Sequence, residues 1–152
     1  MKTFVAHIRP AVEADLADIR SCAHEAYAKY VMRIGREPAP MHADFASQIG
    51  QGSVDVAACV SKIAGFVVFY PAGDHILLEN VAVLPAYSGR GIGRRLIEHV
   101  ERAAREAGYG AVELYTNEAM TENLAMYPKL GYVEVGRRRE AGFNRVFFRK
   151  RL

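Results

Sequence analysis

Apolar residues recur along this chain in two rhythms, one with the period of a helix and one with the period of a strand. Phe4 to Arg9 predicts a short first strand closed by Pro10. From Glu13 to roughly Arg33 the positions Leu16, Ile19, Ala23, Ala26, Tyr27 and Tyr30 share one side, which predicts a helix. Gly35, Pro38 and Pro40 break it, because proline cannot continue a helical hydrogen-bond ladder. A second, short helix is expected from Ala43 to Ile49, ended by Gly50 and Gly52. Three strands then form a predicted meander at Val54–Val60, Ile63–Tyr70 and His75–Val83. Their turns are Ser61-Lys62 and Pro71-Ala72-Gly73-Asp74.

The strongest pattern runs from Gly91 to Ala107, where Ile92, Leu96, Val100, Ala103 and Ala107 make one apolar stripe. Opposite charges four residues apart (Arg94/Glu98, Glu98/Arg102, Glu101/Arg105, Arg102/Glu106) are expected on the other side, and Gly108 stops the helix. A strand follows at Ala111–Thr116, a short helix at Thr121–Leu130, a strand at Tyr132–Arg138 and a last strand at Phe143–Arg151. Three antiparallel strands followed by strand–helix–strand–helix–strand–strand predict an α+β chain with a parallel pair at the centre of its sheet. No repeat or linker interrupts residues 1–152, so a single domain is expected.

Composition narrows the function classes. Of the 152 residues, 51% are hydrophobic and 24% charged, the mix of a globular chain rather than a disordered one. The apolar run Ala64 to Tyr70 is far too short to span a bilayer, and Arg9 and Pro10 interrupt any secretory segment early. A cytoplasmic, non-membrane protein is expected. The formal charge of +3 is compatible with phosphate-bearing ligands but does not call for nucleic acid. The arginine-rich late strands alternate as solvated strand faces do, and no RNA-binding motif accompanies them. Cys22 and Cys59 read as two free thiols, and there is no metal-ligand spacing, so no metal is expected.

Candidate chemistry gathers at Ser88-Gly89-Arg90-Gly91-Ile92-Gly93-Arg94, between a strand ending Val81-Ala82-Val83-Leu84-Pro85 and the long helix. Glycines at a helix start let several backbone N–H groups converge on an anion, aided by the helix dipole. Arg90 and Arg94 can add charge-assisted contacts, and a pyrophosphate is the natural occupant. A tight turn holding nothing is the plain alternative. Neither the dinucleotide fingerprint nor the phosphate-loop signature fits this context.

This segment resembles the acyl-CoA-binding motif of the GNAT superfamily of N-acetyltransferases. That motif is Gln/Arg-x-x-Gly-x-Gly/Ala after a Val-x-Val-x-Pro strand. A second signature, a short helix ending Tyr-x-Lys-x-Gly-Phe/Tyr, is matched by Tyr127-Pro128-Lys129-Leu130-Gly131-Tyr132. The element order agrees from end to end. Ser88 departs from the usual Gln or Arg, and Met120 stands where the family has an asparagine, with Asn123 closer to the tyrosine. The resemblance implies a mixed, mostly antiparallel sheet of about seven strands with about four helices. It also implies acetyl-CoA as donor and a primary amine, on a small molecule or a peptide, as acceptor. Val81, Ala82, Val83 and the Ser88–Arg94 turn would then hold the cofactor. Asn123 is either a further contact to its pantetheine arm or a solvent-facing amide.

A lysine-like amine near pKa 10.4 must lose a proton, at a cost of roughly 4.6 kcal/mol at neutral pH. Glu79, on the face of its strand shared with Val81 and Val83, is the first candidate base, directly or through water. A solvated edge carboxylate or a salt-bridge partner is its plain alternative, binding of the substrate ammonium without proton transfer is another, and His75 is a second candidate base. The resemblance implies that Tyr127 is the acid for the departing thiolate, while spacing alone fits it to the apolar helix face Leu124, Tyr127, Leu130. Pro128 is expected to bias Tyr127 away from the helical region. Neither cysteine neighbours the motifs, so direct attack is favoured over an acyl-enzyme. Tyr27, Tyr30, Arg33, Arg36 and Met41, near the first helix break, are candidates to line an acceptor pocket, or else to pack an ordinary hinge. A catalytically silent acyl-CoA sensor is the rival reading, and dimerisation through the late strands stays open.

Overall fold

A computed structural model of the chain describes residues 6–152. Seven strands form one sheet: β1 (His7–Pro10), β2 (Val54–Cys59), β3 (Lys62–Ala72), β4 (His75–Val83), β5 (Ala111–Asn117), β6 (Val133–Glu140) and β7 (Phe143–Arg151). Their order is β1-β2-β3-β4-β5-β7-β6. β4 and β5 are parallel, pairing across Ile76–Leu78 and Val112–Leu114, while the β1–β2, β2–β3, β5–β7 and β6–β7 pairs are antiparallel. The helices are α1 (Leu16–Tyr27), the single turn α2 (Val31–Ile34), α3 (Phe45–Gly50), α4 (Ile92–Glu106) and α5 (Thr121–Lys129). The mixed α+β architecture expected from the sequence is the one observed.

Several boundaries moved, each for a physical reason. Of the predicted first strand, Phe4 and Val5 lie outside the described residues. Pro10 does not close β1 but is its last residue, opposite Asp55, which an edge strand tolerates because the missing donor is not needed. The helix expected from Glu13 to Arg33 is cut by a 3-10 turn at Ala28–Tyr30. Side chains three apart eclipse in such a turn, and Tyr27 and Tyr30 are both buried with ring centroids 6.3 Å apart. Gly35, at φ +87°, then ends α2. Val60 leaves β2 one residue early, turning at φ +49°. Glu101, expected on the charged side of α4, is buried instead: it accepts from Tyr132 Oη at 2.9 Å and Lys150 Nζ at 3.0 Å.

The described residues fall into two compact units, each considered by itself. One runs to Phe69 and resumes at Asn80–His99; the other comprises Tyr70–Glu79 and Val100–Leu152. The first packs Ile19, Phe45, Val56, Phe66, Val68, Leu96 and Ile97 without solvent exposure, with Phe45 edge-on to Phe66. Gly65 is there for lack of space: a Cβ would sit 2.6 Å from the Ala82 carbonyl oxygen. The second is built on Leu78, Val112, Leu114, Val146 and Phe148, with Tyr127 and Tyr132 laid against them. β6 and β7 meet at Ala141-Gly142, both at positive φ, the geometry that a two-residue hairpin needs.

Candidate functional site

In the first unit, β4 runs out through Leu84 into a 3-10 turn at Pro85–Tyr87, and the chain swings into α4 through Ser88–Gly91. Gly89 and Gly91 have φ of +76° and +77°, where a side chain would strain the backbone although nothing lies near enough to obstruct it. Gly93 has ordinary φ, and a Cβ there would rest 3.6 Å from Val83 Cγ2, in simple contact. The first helical bond is Arg95 N–H to the Gly91 carbonyl, so the preceding N–H groups have no acceptor within the helix. Buried Ile92 anchors this start while Ser88, Gly89, Arg90 and Gly91 are exposed. The positive helix end and these N–H groups are the kind of arrangement that can accept an anion.

The side chains of the turn are partly committed. Ser88 Oγ donates to the Pro85 carbonyl at 2.8 Å. The Arg90 guanidinium lies 5.5 Å from the Tyr87 ring centre, and Arg94 pairs with Glu98 on the exposed face at 2.9 Å. An exposed pair of that kind is worth well under about 1 kcal/mol, so Arg94 is readily redirected to a phosphate.

Behind the strand leading to this turn, the Tyr27 hydroxyl lies 2.7 Å from Asn80 Oδ1 and 3.0 Å from the Val81 carbonyl. Asn80 is buried, and its Nδ2 has no hydrogen-bond partner. Tyr30 and Met41 are also buried. Arg33 is exposed, with its guanidinium 5.3 Å from the Tyr30 ring, and Arg36 is exposed beyond it. Three of the candidate acceptor residues thus sit in the packed interior of this unit. Cys22 is buried too, and burial pushes its thiol up to about 12, which leaves it protonated and unreactive at neutral pH.

In the second unit, β4 alternates cleanly: Ile76 and Leu78 are buried while His75, Leu77 and Glu79 share a half-exposed face. The Tyr70 hydroxyl donates to Glu79 Oε1 at 2.8 Å. Burial and the Glu79 carboxylate raise the Tyr70 phenol far above its ordinary range. Tyr115 of β5 is raised as well, chiefly by burial; Arg145, 4.5 Å from its ring, opposes the shift, and Glu79 and Glu140 add to it. His75 is held in a carboxylate network, with Nδ1 2.9 Å from Asp74 and 3.3 Å from Glu113, which Arg149 also bridges.

Tyr127 is buried in α5, its ring 5.6 Å from Phe148 and 5.9 Å from Tyr132. Pro128 does not displace it from the helix. The proline falls in the last turn, and the Tyr127 carbonyl accepts from Leu130 and Tyr132 instead. Asn123 is half-buried, and its amide donates to Thr116 Oγ1 at 3.2 Å, which ties α5 to β5. Among the described residues, no group of three or more His, Cys, Asp or Glu is arranged to hold a metal ion, and no helix is long and apolar enough to cross a membrane.

Sequence reasoning missed Tyr70, Asn80, Tyr115 and Arg145. Tyr70 was hidden by the four-residue turn assigned to Pro71–Asp74; the chain reverses over Gly73-Asp74 alone, which brings β3 back beside Glu79. The β5–β7 register, with Tyr115 opposite Phe147 and Asn117 opposite Arg145, had no local sequence signal.

Residues 16–132 match the family model described as the acetyltransferase (GNAT) family. The chain is 32% identical over 78 residues to the alanine N-acetyltransferase of ribosomal protein bS18 from Escherichia coli, covering 51% of this chain and 53% of that one. It is 33% identical over 76 residues to streptothricin acetyltransferase from Streptomyces lavendulae, covering 49% and 40%. The matches thus span about half the length of these curated relatives. In fold, it resembles the crystal structure of the PaiA N-acetyltransferase from Thermoplasma acidophilum in complex with coenzyme A. The TM-score is 0.77 at 16% identity, over 97% of this chain and 99% of that one.

Proposed function

This chain belongs to the acetyltransferase (GNAT) family, and we propose that it moves an acetyl group from acetyl-CoA to a primary amine by direct attack. We read residues 1–152 as one acetyltransferase domain, since β3, β4 and α4 each run on through both compact units. The observation that carries the reading is the Ser88–Gly93 turn, where two left-handed glycines open α4. Its N–H groups would bind the diphosphate of coenzyme A. Because Ser88 is spent on Pro85, the main chain does this work, with Arg90 and Arg94 adding charge. Val81, Ala82 and Val83 would receive the pantetheine arm, and Asn123 would steady the α5 start through Thr116 rather than touch the arm.

Glu79 takes the amine proton, directly or through one water. The amine nitrogen then attacks the thioester carbonyl carbon, the C–S bond breaks, and Tyr127 gives its proton to the thiolate sulfur. The second proton, shed by the new amide nitrogen, restores the phenol, and Glu79 releases its own to solvent. A protonated Cys22 offers no competing acyl-enzyme route. The acceptor is proposed as an amine on a small molecule or a peptide. Its two named relatives act on a ribosomal-protein alanine and on streptothricin, which supports no narrower choice. Tyr30 and Arg33, at the bend after α1, are proposed to border it.

Release of free thiol from acetyl-CoA, measured over a panel of peptide and small-molecule amines, tests the proposal. Turnover with at least one amine is expected, and Glu79→Gln should lower kcat by about 100-fold, the scale of a lost general base. Binding of acetyl-CoA with no turnover on any amine would make the protein a sensor instead.

A further inference from the structure

Tyr70 has no part in the steps above, yet its hydroxyl lies on the carboxylate that does. It donates to Glu79 Oε1 at 2.8 Å, within one compact unit and across the short turn at Gly73-Asp74. Glu79 sits on a half-exposed strand face, at the end of an arm with two rotatable methylenes, so its carboxylate needs a fixed partner to hold one orientation. Nothing about a β3 tyrosine demands that partner for packing alone, because the ring is only half-buried.

We propose that Tyr70 is a positioning residue for Glu79, orienting its carboxylate through the phenolic O–H. The proposal rests on the reading of Glu79 as the base. A donor fixed on one carboxylate oxygen holds the group in one orientation, which sets how the carboxylate faces the amine. Tyr70 can donate throughout the working range, because burial and the neighbouring carboxylate keep its own proton in place well above neutral pH. Tyr115 of β5 interacts with both Glu79 and Tyr70, and is itself flanked by Arg145 of β7 and Glu140 of β6. His75, on the same strand face, is held by Asp74 and Glu113.

The direct test measures kcat and KM with one and the same amine acceptor in wild type and in Tyr70→Phe, which keeps the ring and removes only the oxygen. The variant's acetyl-CoA affinity reports whether the fold survives. A misoriented base slows the transfer step, so kcat should fall about tenfold with KM for the amine unchanged. A structural tyrosine would leave kcat where it is once the fold is intact. If kcat stays at the wild-type value while Glu79→Gln is inactive, the base reading stands and the role of Tyr70 is overturned. If Glu79→Gln turns over at the wild-type rate, the base reading is overturned and this proposal falls with it.

Discussion

Asp15 is a buried carboxylate that stays charged. Arg9 donates to both of its oxygens, at 2.8 and 3.1 Å, and the Val12 N–H donates at 2.8 Å. Those donors, Arg9 first, hold Asp15 below its ordinary value of 3.8. A depressed carboxylate stabilises the fold above its unfolded pKa, and that contribution disappears as pH falls through the folded value. Asp15→Asn should therefore lower Tm by about 3–6 °C at pH 7, taking about 1.5 kcal/mol for a hydrogen bond to a charged group. The gap between variant and wild type should close as pH drops below 3.8. Thermal melts from pH 7 to pH 2.5 read this, and a constant gap would mean that packing, not charge, is what the substitution removes. Glu79 differs from Asp15 in kind: it accepts from a neutral phenol on a half-exposed face, where a carboxylate keeps access to a proton.

At the scale of an element, the turn into α4 separates two reasons for glycine. Gly89 and Gly91 are needed for their backbone angle, and Gly93 only for light contact with Val83. Gly91→Val should weaken acetyl-CoA binding at least tenfold, since a β-branched residue at φ +77° costs about 1–2 kcal/mol and swings the N–H groups away. Gly93→Ala should bind within about threefold of wild type, as a 3.6 Å contact demands no displacement. Equal losses at both positions, read by calorimetry, would show that space rather than angle shapes the turn. This turn was legible in the sequence because glycine spacing, a preceding proline and a strong helix pattern all act locally. Glu101 was not, because i,i+4 charge spacing says nothing of Tyr132 and Lys150, brought to it from 31 and 49 residues away. The break of the first helix was half legible. Gly35 and its prolines marked the end, while the 3-10 turn at Ala28–Tyr30 follows from burying two tyrosines three apart.

For the molecule as a whole, the parallel β4–β5 pair was readable from the succession of elements, since a strand–helix–strand unit returns parallel, whereas the insertion of β7 between β5 and β6 was not. The acceptor was not readable. Tyr27, Tyr30 and Met41, expected near the first helix break, are buried in their own unit, while Arg33 and Arg36 beside them are exposed. Burial of an aromatic depends on what packs above it, which no local pattern states. What remains central is the anion-receiving turn, on which every side-chain role depends. The most direct measurement is isothermal titration of the folded protein with acetyl-CoA. The account predicts saturable binding of one acetyl-CoA per chain, with affinity lost in Gly91→Val and retained in Gly93→Ala. Absence of any heat of binding up to millimolar acetyl-CoA, from protein that melts cooperatively, would contradict it.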